Sequence, residues 1–448
     1  MNTLAEVIMW GRTIGAVSLE EGAEYAAFQY TPEFAASGIE VSPITMPLSN
    51  QVYVFPQLPR QTFHGLPGLL ADSLPDKYGN ALINAWLASQ GRTAEDFGVI
   101  ERLSYVGSRG MGALEFAPLS GPVVRLTQKL EVDALVQLAS DVLNRRSHLH
   151  TTLEKGHRAE AMQDILHVGT SAGGARAKAV IAWNRETNEV RSGQVDAGQG
   201  FEYWLLKFDG VAGNRDKELD DPRGYGAVEY AYALMARDAG ITISECRLLE
   251  ENGRRHFMTK RFDRTDDGGK LHAQTLGALA HFDYNNPGAY AYEQALLIIR
   301  QLGLPMAAIE QQFRRMVFNI IARNQDDHVK NIGFVMNQQG VWSLSPAYDI
   351  TYSYNPEGDW TGQHQMSMNG KRDGFTIEDF RACAKSAMMK RGRADTIVKE
   401  VTEVVANWRK YADSAGVTPS WRDQIMGNLR LGFVGNEKDK RKITRKSV

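Results

Sequence analysis

The sequence predicts an α+β protein of two lobes, a strand-rich half followed by a mostly helical half, with a small β-rich domain in front. Three observations carry this expectation. The first 120 residues run as short apolar stretches broken by turn residues. The middle holds apolar strand-like segments around one amphipathic helix, and from about Tyr290 apolar residues recur at helical spacing. A chain of 448 residues exceeds one compact core, and the composition shifts place segments at 1–125, 126–265 and 266–448.

In order, Val7-Ile8-Met9-Trp10 enters a turn at Gly11-Arg12. Gly15 to Leu19 and Tyr25 to Tyr30 repeat the strand pattern. Leu66 to Asp76 carries turn residues around an apolar patch and predicts a structured loop before a helix. Gly107-Ser108-Arg109-Gly110-Met111-Gly112 lacks a following Lys-Ser/Thr and leads into a strand-like Ala113-Leu114-Glu115-Phe116, so it reads as a hairpin turn rather than a phosphate loop. Leu130, Val132, Leu135, Leu138, Val142 and Leu143 predict a helix over 126–146. Ala179 to Trp183, Tyr203 to Phe208 and His256 to Thr259 predict strands, and Val228 to Ala239 a helix ended by Gly240. Glu310 to Ala322 and Ala394 to Tyr411 predict two further helices. The basic tail Lys438 to Lys446 reads as a solvated terminus.

Composition excludes several classes. With 51 Lys and Arg against 53 Asp and Glu, a net charge of −2 argues against a general polyanion binder, so DNA contact is expected only through a local patch or a partner. Two distant cysteines, Cys246 and Cys383, offer neither a disulfide framework nor a zinc spacing. No apolar run approaches a membrane span, and the first residues lack the pattern of a signal peptide, so a cytoplasmic protein is expected.

The candidate chemistry is phosphoryl transfer. That reaction needs donors over phosphates, a cation near them, oxygen ligands for Mg²⁺ and a carboxylate to take a hydroxyl proton. Ser171-Ala172-Gly173-Gly174-Ala175-Arg176-Ala177-Lys178 offers small residues whose amides can approach phosphate oxygens. Lys207, at the end of an apolar strand, is the cation, and Glu229 in the next helix could pair with it. Asp326, followed five residues later by Asn331, reproduces the D-x-x-x-x-N spacing of a kinase catalytic loop. Asp349 lies among aliphatic and aromatic neighbours, where a carboxylate needs a partner such as Mg²⁺.

Taken together, these motifs resemble the HipA family of serine/threonine kinase toxins of type II toxin–antitoxin systems, over nearly the whole chain. Leu74-Pro75-Asp76 and Val106 to Ala113 are similar to the family's small N-terminal domain, and Ser171 to Lys178 to its phosphate loop. Leu205-Leu206-Lys207 resembles its ATP-lysine strand, and Lys260-Arg261-Phe262-Asp263-Arg264 its hinge. Asp326, His328, Lys330 and Asn331, then Tyr348-Asp349-Ile350, complete the match. The sequence departs from the family pattern at Arg176 and Ala177, and Asp327 adds a second carboxylate beside Asp326, which the spacing to Asn331 favours as the base.

The resemblance implies a two-lobed protein-kinase-like fold and ATP with Mg²⁺ as cofactors. It implies Asp326 as base supported by His328, and Asn331 with Asp349 as metal ligands. Nucleotide contacts would come from Ser171, Ala172, Gly173, Gly174, Ala175, Arg176, Lys178, Lys207, Lys260, Phe262, His328, Lys330, Asn331 and Tyr348, with Ser171 autophosphorylated. It further implies a HipB-like helix-turn-helix antitoxin, DNA contact only through that antitoxin, no membrane, and a translation component such as an aminoacyl-tRNA synthetase as substrate. A small-molecule kinase and a largely non-catalytic co-repressor are the alternative readings.

Overall fold

The computed structural model describes residues 3–119, 129–144, 176–211, 215–216, 219–220, 223–265 and 268–433. These residues form two compact units. One comprises residues 1–226, 244–285 and 329–346, and the other residues 227–243, 286–328 and 347–448.

The first unit opens with a sheet of β1 (Leu4–Met9), β2 (Arg12–Ser18), β3 (Ala27–Tyr30), β4 (Val52–Tyr53) and β5 (Leu114–Ala117), in the order β4-β3-β2-β1-β5. The β1–β2 turn is Trp10-Gly11, both at positive φ, as a tight hairpin requires. Alternation on β1 buries Ala5, Val7 and Met9. The helix expected after Asp76 is Lys77–Ser89, and a further helix, Val99–Val106, interrupts the strand pattern expected here. Asp76 caps the first, its side chain accepting from the amides of Tyr78 and Gly79. The glycine cluster therefore turns from a helix into β5 rather than from strand to strand.

A second sheet runs β11-β12-β8-β6-β7, from β6 (Lys178–Asn184), β7 (Val190–Ser192), β8 (Phe201–Lys207), β11 (Cys246–Glu251) and β12 (Arg254–Lys260), all antiparallel. A two-stranded ribbon, β9 (Arg215–Asp216) and β10 (Leu219–Asp220), lies between in sequence. Tyr78 and Leu82 of the capped helix share one core with Leu135 and Val136 of helix Val132–Asn144, Ile181 of β6 and Trp204 of β8. A third sheet, β13 (His272–Thr275), β14 (Gly333–Met336) and β15 (Trp342–Leu344), is tied to the N-terminal segment. Asp72 accepts from the amide and hydroxyl of Thr275 at 2.8 and 3.0 Å.

The second unit is helical. Helix Met306–Ala322 buries Phe313, Met316, Val317, Phe318, Ile320 and Ile321. Around it lie Tyr292–Gln301, Ile377–Ser386, Arg393–Val405, Trp408–Ala415 and Pro419–Asn428. The single helix expected over Ala394 to Tyr411 is two, because the chain breaks at Ala406-Asn407 so that Trp408 can turn inward and donate from its indole to the Arg422 carbonyl at 2.8 Å. Among the described residues, no helix is long and apolar enough to cross a membrane.

Candidate active site

The first unit carries the lysines. On β8, Trp204 and Leu206 face the core, which leaves Lys207 on the other face. Register places Lys207 opposite Lys178 of β6 on one side and Phe257 of β12 on the other. Its ammonium lies 5.8 Å from the Phe257 ring centroid. Lys178 is buried, and its nitrogen stands 3.8 Å from Oδ2 of Asp76. Burial pushes the Asp76 carboxyl up from its ordinary value, against the pull of Lys178 and Lys330. Arg176 stacks its guanidinium 3.7 Å over the Tyr225 ring. Ser171, Ala172, Gly173, Gly174 and Ala175 lie outside the described residues.

Past β12, Lys260 pairs with Glu202 at 3.3 Å, and Phe262 is half-buried. Asp263 is fully buried, and both of its oxygens take donors: Nε and Nη2 of Arg261 at 2.8 and 2.6 Å, Nη1 of Arg264 at 2.9 Å, and the Gly112 amide at 2.6 Å. The glycine turn is thus held from the segment that carries Phe262. Gly112 has φ +76° and a Cβ there would meet the Ala273 backbone nitrogen at 2.9 Å, so no larger residue fits.

Residues 326–331 fall partly in each unit. Val329-Lys330-Asn331 belongs to the first as one 3₁₀ turn, with the Lys330 ammonium 5.0 Å from the Tyr284 ring centroid. Asp326, Asp327 and His328 belong to the second. Helix Met306–Ala322 ends on Arg323 in the left-handed region, and the Gln325 amide then bonds the Ser353 carbonyl at 2.9 Å, which fixes the start of the loop.

The two aspartates differ sharply. Asp327 has 1% of its side chain exposed and receives the Tyr292 hydroxyl at 2.5 Å, His364 Nδ1 at 2.8 Å and the Gln365 amide at 2.8 Å. Burial raises its carboxyl, and these donors outweigh burial and bring it below the ordinary value. Asp326 keeps 20% of its side chain exposed, takes the Trp360 indole N–H at 2.6 Å, and lies 3.9 Å from Nε2 of His328. Asp349 is half-buried at φ +50°, a backbone region that Asp visits more readily than most residues, and its carbonyl accepts from Asn324 Nδ2 at 3.3 Å. Tyr348 beside it is half-buried. Among the described residues, Trp360, His364, Gln365, Arg430 and Asp76 are the contacts that the motif reading passed over. A lone Trp within the polar run Gly358-Asp359-Trp360-Thr361-Gly362 was the signal available.

Two family models match this chain, the HipA N-terminal domain over residues 5–117 and the HipA-like C-terminal domain over residues 170–408. The chain belongs to the HipA family. Among curated proteins it is similar to "Putative kinase Y4dM" of Sinorhizobium fredii, 28% identical over 45% of this chain and 53% of that protein. It is also similar to "Putative kinase Y4mE" of the same organism, 24% identical over 44% of this chain and 51% of that one. The chain thus spans about half the length of the curated relatives it matches. Among solved structures it resembles a chain of the Shewanella oneidensis MR-1 toxin–antitoxin complex of HipA, HipB and operator DNA. The TM-score is 0.65 at 16% identity, covering 94% of this chain and 96% of that one, a likeness of fold. The α+β, two-lobed kinase-like fold expected from the sequence is the one found.

Proposed function

We propose that this HipA-family chain is an ATP-dependent serine/threonine kinase acting as the toxin of a type II toxin–antitoxin pair, with Asp326 as its general base. One observation carries the reading: of two adjacent aspartates at the start of a D-x-x-x-x-N segment, Asp327 is buried under three donors while Asp326 keeps 20% of its side chain exposed. A base must be reachable by the hydroxyl it serves, so the work falls to Asp326. In the reaction, the substrate hydroxyl oxygen forms a bond to the γ-phosphorus, its proton passes to a carboxylate oxygen of Asp326, and the bond to ADP breaks. Lys207 and Lys178 hold phosphate charge, with Ser171 to Arg176 supplying the amides of the cradle. Lys260 and Phe262 form the adenine side, and His328, Lys330 and Tyr348 support the phosphates and the loop.

Asn331 and Asp349 offer an amide and a carboxylate oxygen, hard donors of the type Mg²⁺ takes when phosphates complete its shell. Held by these two residues, Mg²⁺ would supply charge neutralisation during phosphoryl transfer. Asp326→Asn should lower phosphotransfer from radiolabelled ATP by ~10²–10⁴-fold. Activity equal to wild type would overturn the assignment.

Ser171 is the proposed autophosphorylation site, because added charge at the mouth of the cradle would repel ATP and switch the enzyme off. Intact mass after incubation with Mg-ATP tests this: one phosphate appears on wild type and none on Ser171→Ala. The partner is a HipB-like helix-turn-helix antitoxin, in line with the HipA–HipB–operator assembly of the Shewanella protein. DNA contact would then come through that partner, as a net charge of −2 suits. The substrate class is a translation component such as an aminoacyl-tRNA synthetase, to be read from phosphoproteomes of cells expressing wild type against Asp326→Asn.

A further inference from the structure

Trp360 belongs to none of the motifs, yet its indole makes the shortest hydrogen bond described to Asp326. We propose that Trp360 is the positioning residue for Asp326, and that Asp327 sets Trp360 in place through Gln365. The inference rests on the kinase reading above.

The contacts form a closed path within one unit. Trp360 Nε1 donates to Oδ1 of Asp326 at 2.6 Å, and the indole ring meets the His328 imidazole edge-on with centroids 6.5 Å apart. The Trp360 carbonyl is held by the Gln365 side-chain amide, and the Thr361 carbonyl accepts from Gln325 Nε2 at 2.9 Å. Gln365 is fixed in turn, since its backbone N–H donates to Oδ1 of Asp327 at 2.8 Å. The other oxygen of Asp327 takes Tyr292 and His364. Arg430 can only donate, and its Nη1 lies 2.8 Å from His364 Nε2, so that imidazole carries its proton on Nδ1 and gives it to Asp327. Two neighbouring aspartates thus grip the two ends of one segment, residues 360–365.

This arrangement has a chemical consequence. A carboxylate with no fixed donor rotates about its terminal torsion and presents either oxygen. The indole N–H on Oδ1 restrains that rotation and holds the carboxylate in one orientation toward the substrate hydroxyl. It also supports the anionic form, the form a base needs. Because the contact touches the carboxylate and not the nucleotide, it acts on the chemical step alone.

Trp360→Phe keeps the ring and removes the donor. Its kcat should fall about 10- to 100-fold, as expected for loss of one charge-assisted hydrogen bond, with KM for ATP within about twofold of wild type. Gln365→Met, which frees the Trp360 carbonyl, should lower kcat in the same direction by less. A readout independent of turnover is the indole proton resonance of Trp360, assigned by its loss in Trp360→Phe. It should lie downfield of the other tryptophans and move upfield in Asp326→Asn. Unchanged kcat in Trp360→Phe overturns the inference, as does an indole resonance indifferent to Asp326→Asn. A rise in kcat overturns it as well, because the indole would then be blocking the carboxylate. Wild-type protein with no phosphotransfer at all counts instead against the kinase reading, and removes the catalytic purpose of the contact with it.

Discussion

Asp263 in one unit and Asp327 in the other are buried aspartates that tie a candidate site segment to the rest of its fold, and the two are built on opposite principles. Asp263 is surrounded by permanent charge. Burial raises its carboxyl, and the guanidiniums of Arg261 and Arg264 overcome burial and hold it well below the usual carboxylate range. Asp327 is held by two groups that can reorganise, a tyrosine hydroxyl and an imidazole, and by one fixed backbone amide. A guanidinium left without its counterion cannot become an acceptor, whereas a hydroxyl can turn and an imidazole can exchange tautomers. The Asp263 cluster is therefore rigid, as suits the glycine turn and the segment carrying Phe262 that it joins. The Asp327 cluster sits behind the proposed base, where a small adjustment of the loop can be absorbed.

That contrast predicts unequal costs. Asp263→Asn leaves two buried guanidiniums facing an amide and should destabilise the protein by about 3–5 kcal/mol, the range for breaking a buried ion pair from one side. Urea unfolding measures the cost, and hydrogen exchange at the Gly112 amide, which loses its charged acceptor, locates it. A cost below that of Asp327→Asn would erase the distinction.

Asp327→Asn should cost less, about 1–3 kcal/mol, the cost of mispaired buried hydrogen bonds. Asn keeps an acceptor for the Gln365 amide, and Tyr292 can turn its hydroxyl to accept from the new NH₂. The harder adjustment is at His364, which would have to move its proton to Nε2, where Arg430 already donates. The variant should therefore lose stability moderately while its imidazole nitrogen shifts report a changed tautomer. An unchanged tautomer with full stability would show that Arg430, not Asp327, is the fixed point of the cluster.

How much of this was legible from the chain alone follows from distance along it. The strands around Ala179 to Trp183, Tyr203 to Phe208 and His256 to Thr259 were readable as short apolar runs, while the face that Lys207 takes came only with the structure. The segment from Asp326 to Asn331 was readable too, because its spacing is local. The role of Asp327 was not readable, since its partners Tyr292, His364 and Gln365 lie 35, 37 and 38 residues away and only the fold gathers them. Helix Lys77–Ser89 follows the loop of Leu66 to Asp76 as expected. Helix Val99–Val106 was not expected, because eight residues give only about two turns of helical period. The clamp of Arg261, Asp263 and Arg264 on the glycine turn joins residues more than 150 positions apart, and no sequence pattern announces it.

The smallest expected effect concerns pH, and it tests whether both carboxyls are ionised in the folded protein. Each has a folded value below that of an unfolded aspartate. Such a group adds stability that is complete above the unfolded value and is lost as the pH falls below it toward the folded one. The stability advantage of wild type over Asp263→Asn should therefore be constant between pH 7 and 5 and shrink below about pH 4, by about 1 kcal/mol at pH 3. The advantage over Asp327→Asn should shrink in the same direction and over the same window, because the unfolded chain sets its upper edge for both. Urea midpoints for the three proteins at pH 7, 5, 4 and 3 provide the measurement. An advantage that grew as the pH fell from 7 to 4 would mean that the lost aspartate had been neutral in the fold. For Asp263 that outcome would dissolve the charged clamp, and for Asp327 it would turn the carboxyl from an acceptor of three bonds into a donor, reversing the path by which it sets Trp360.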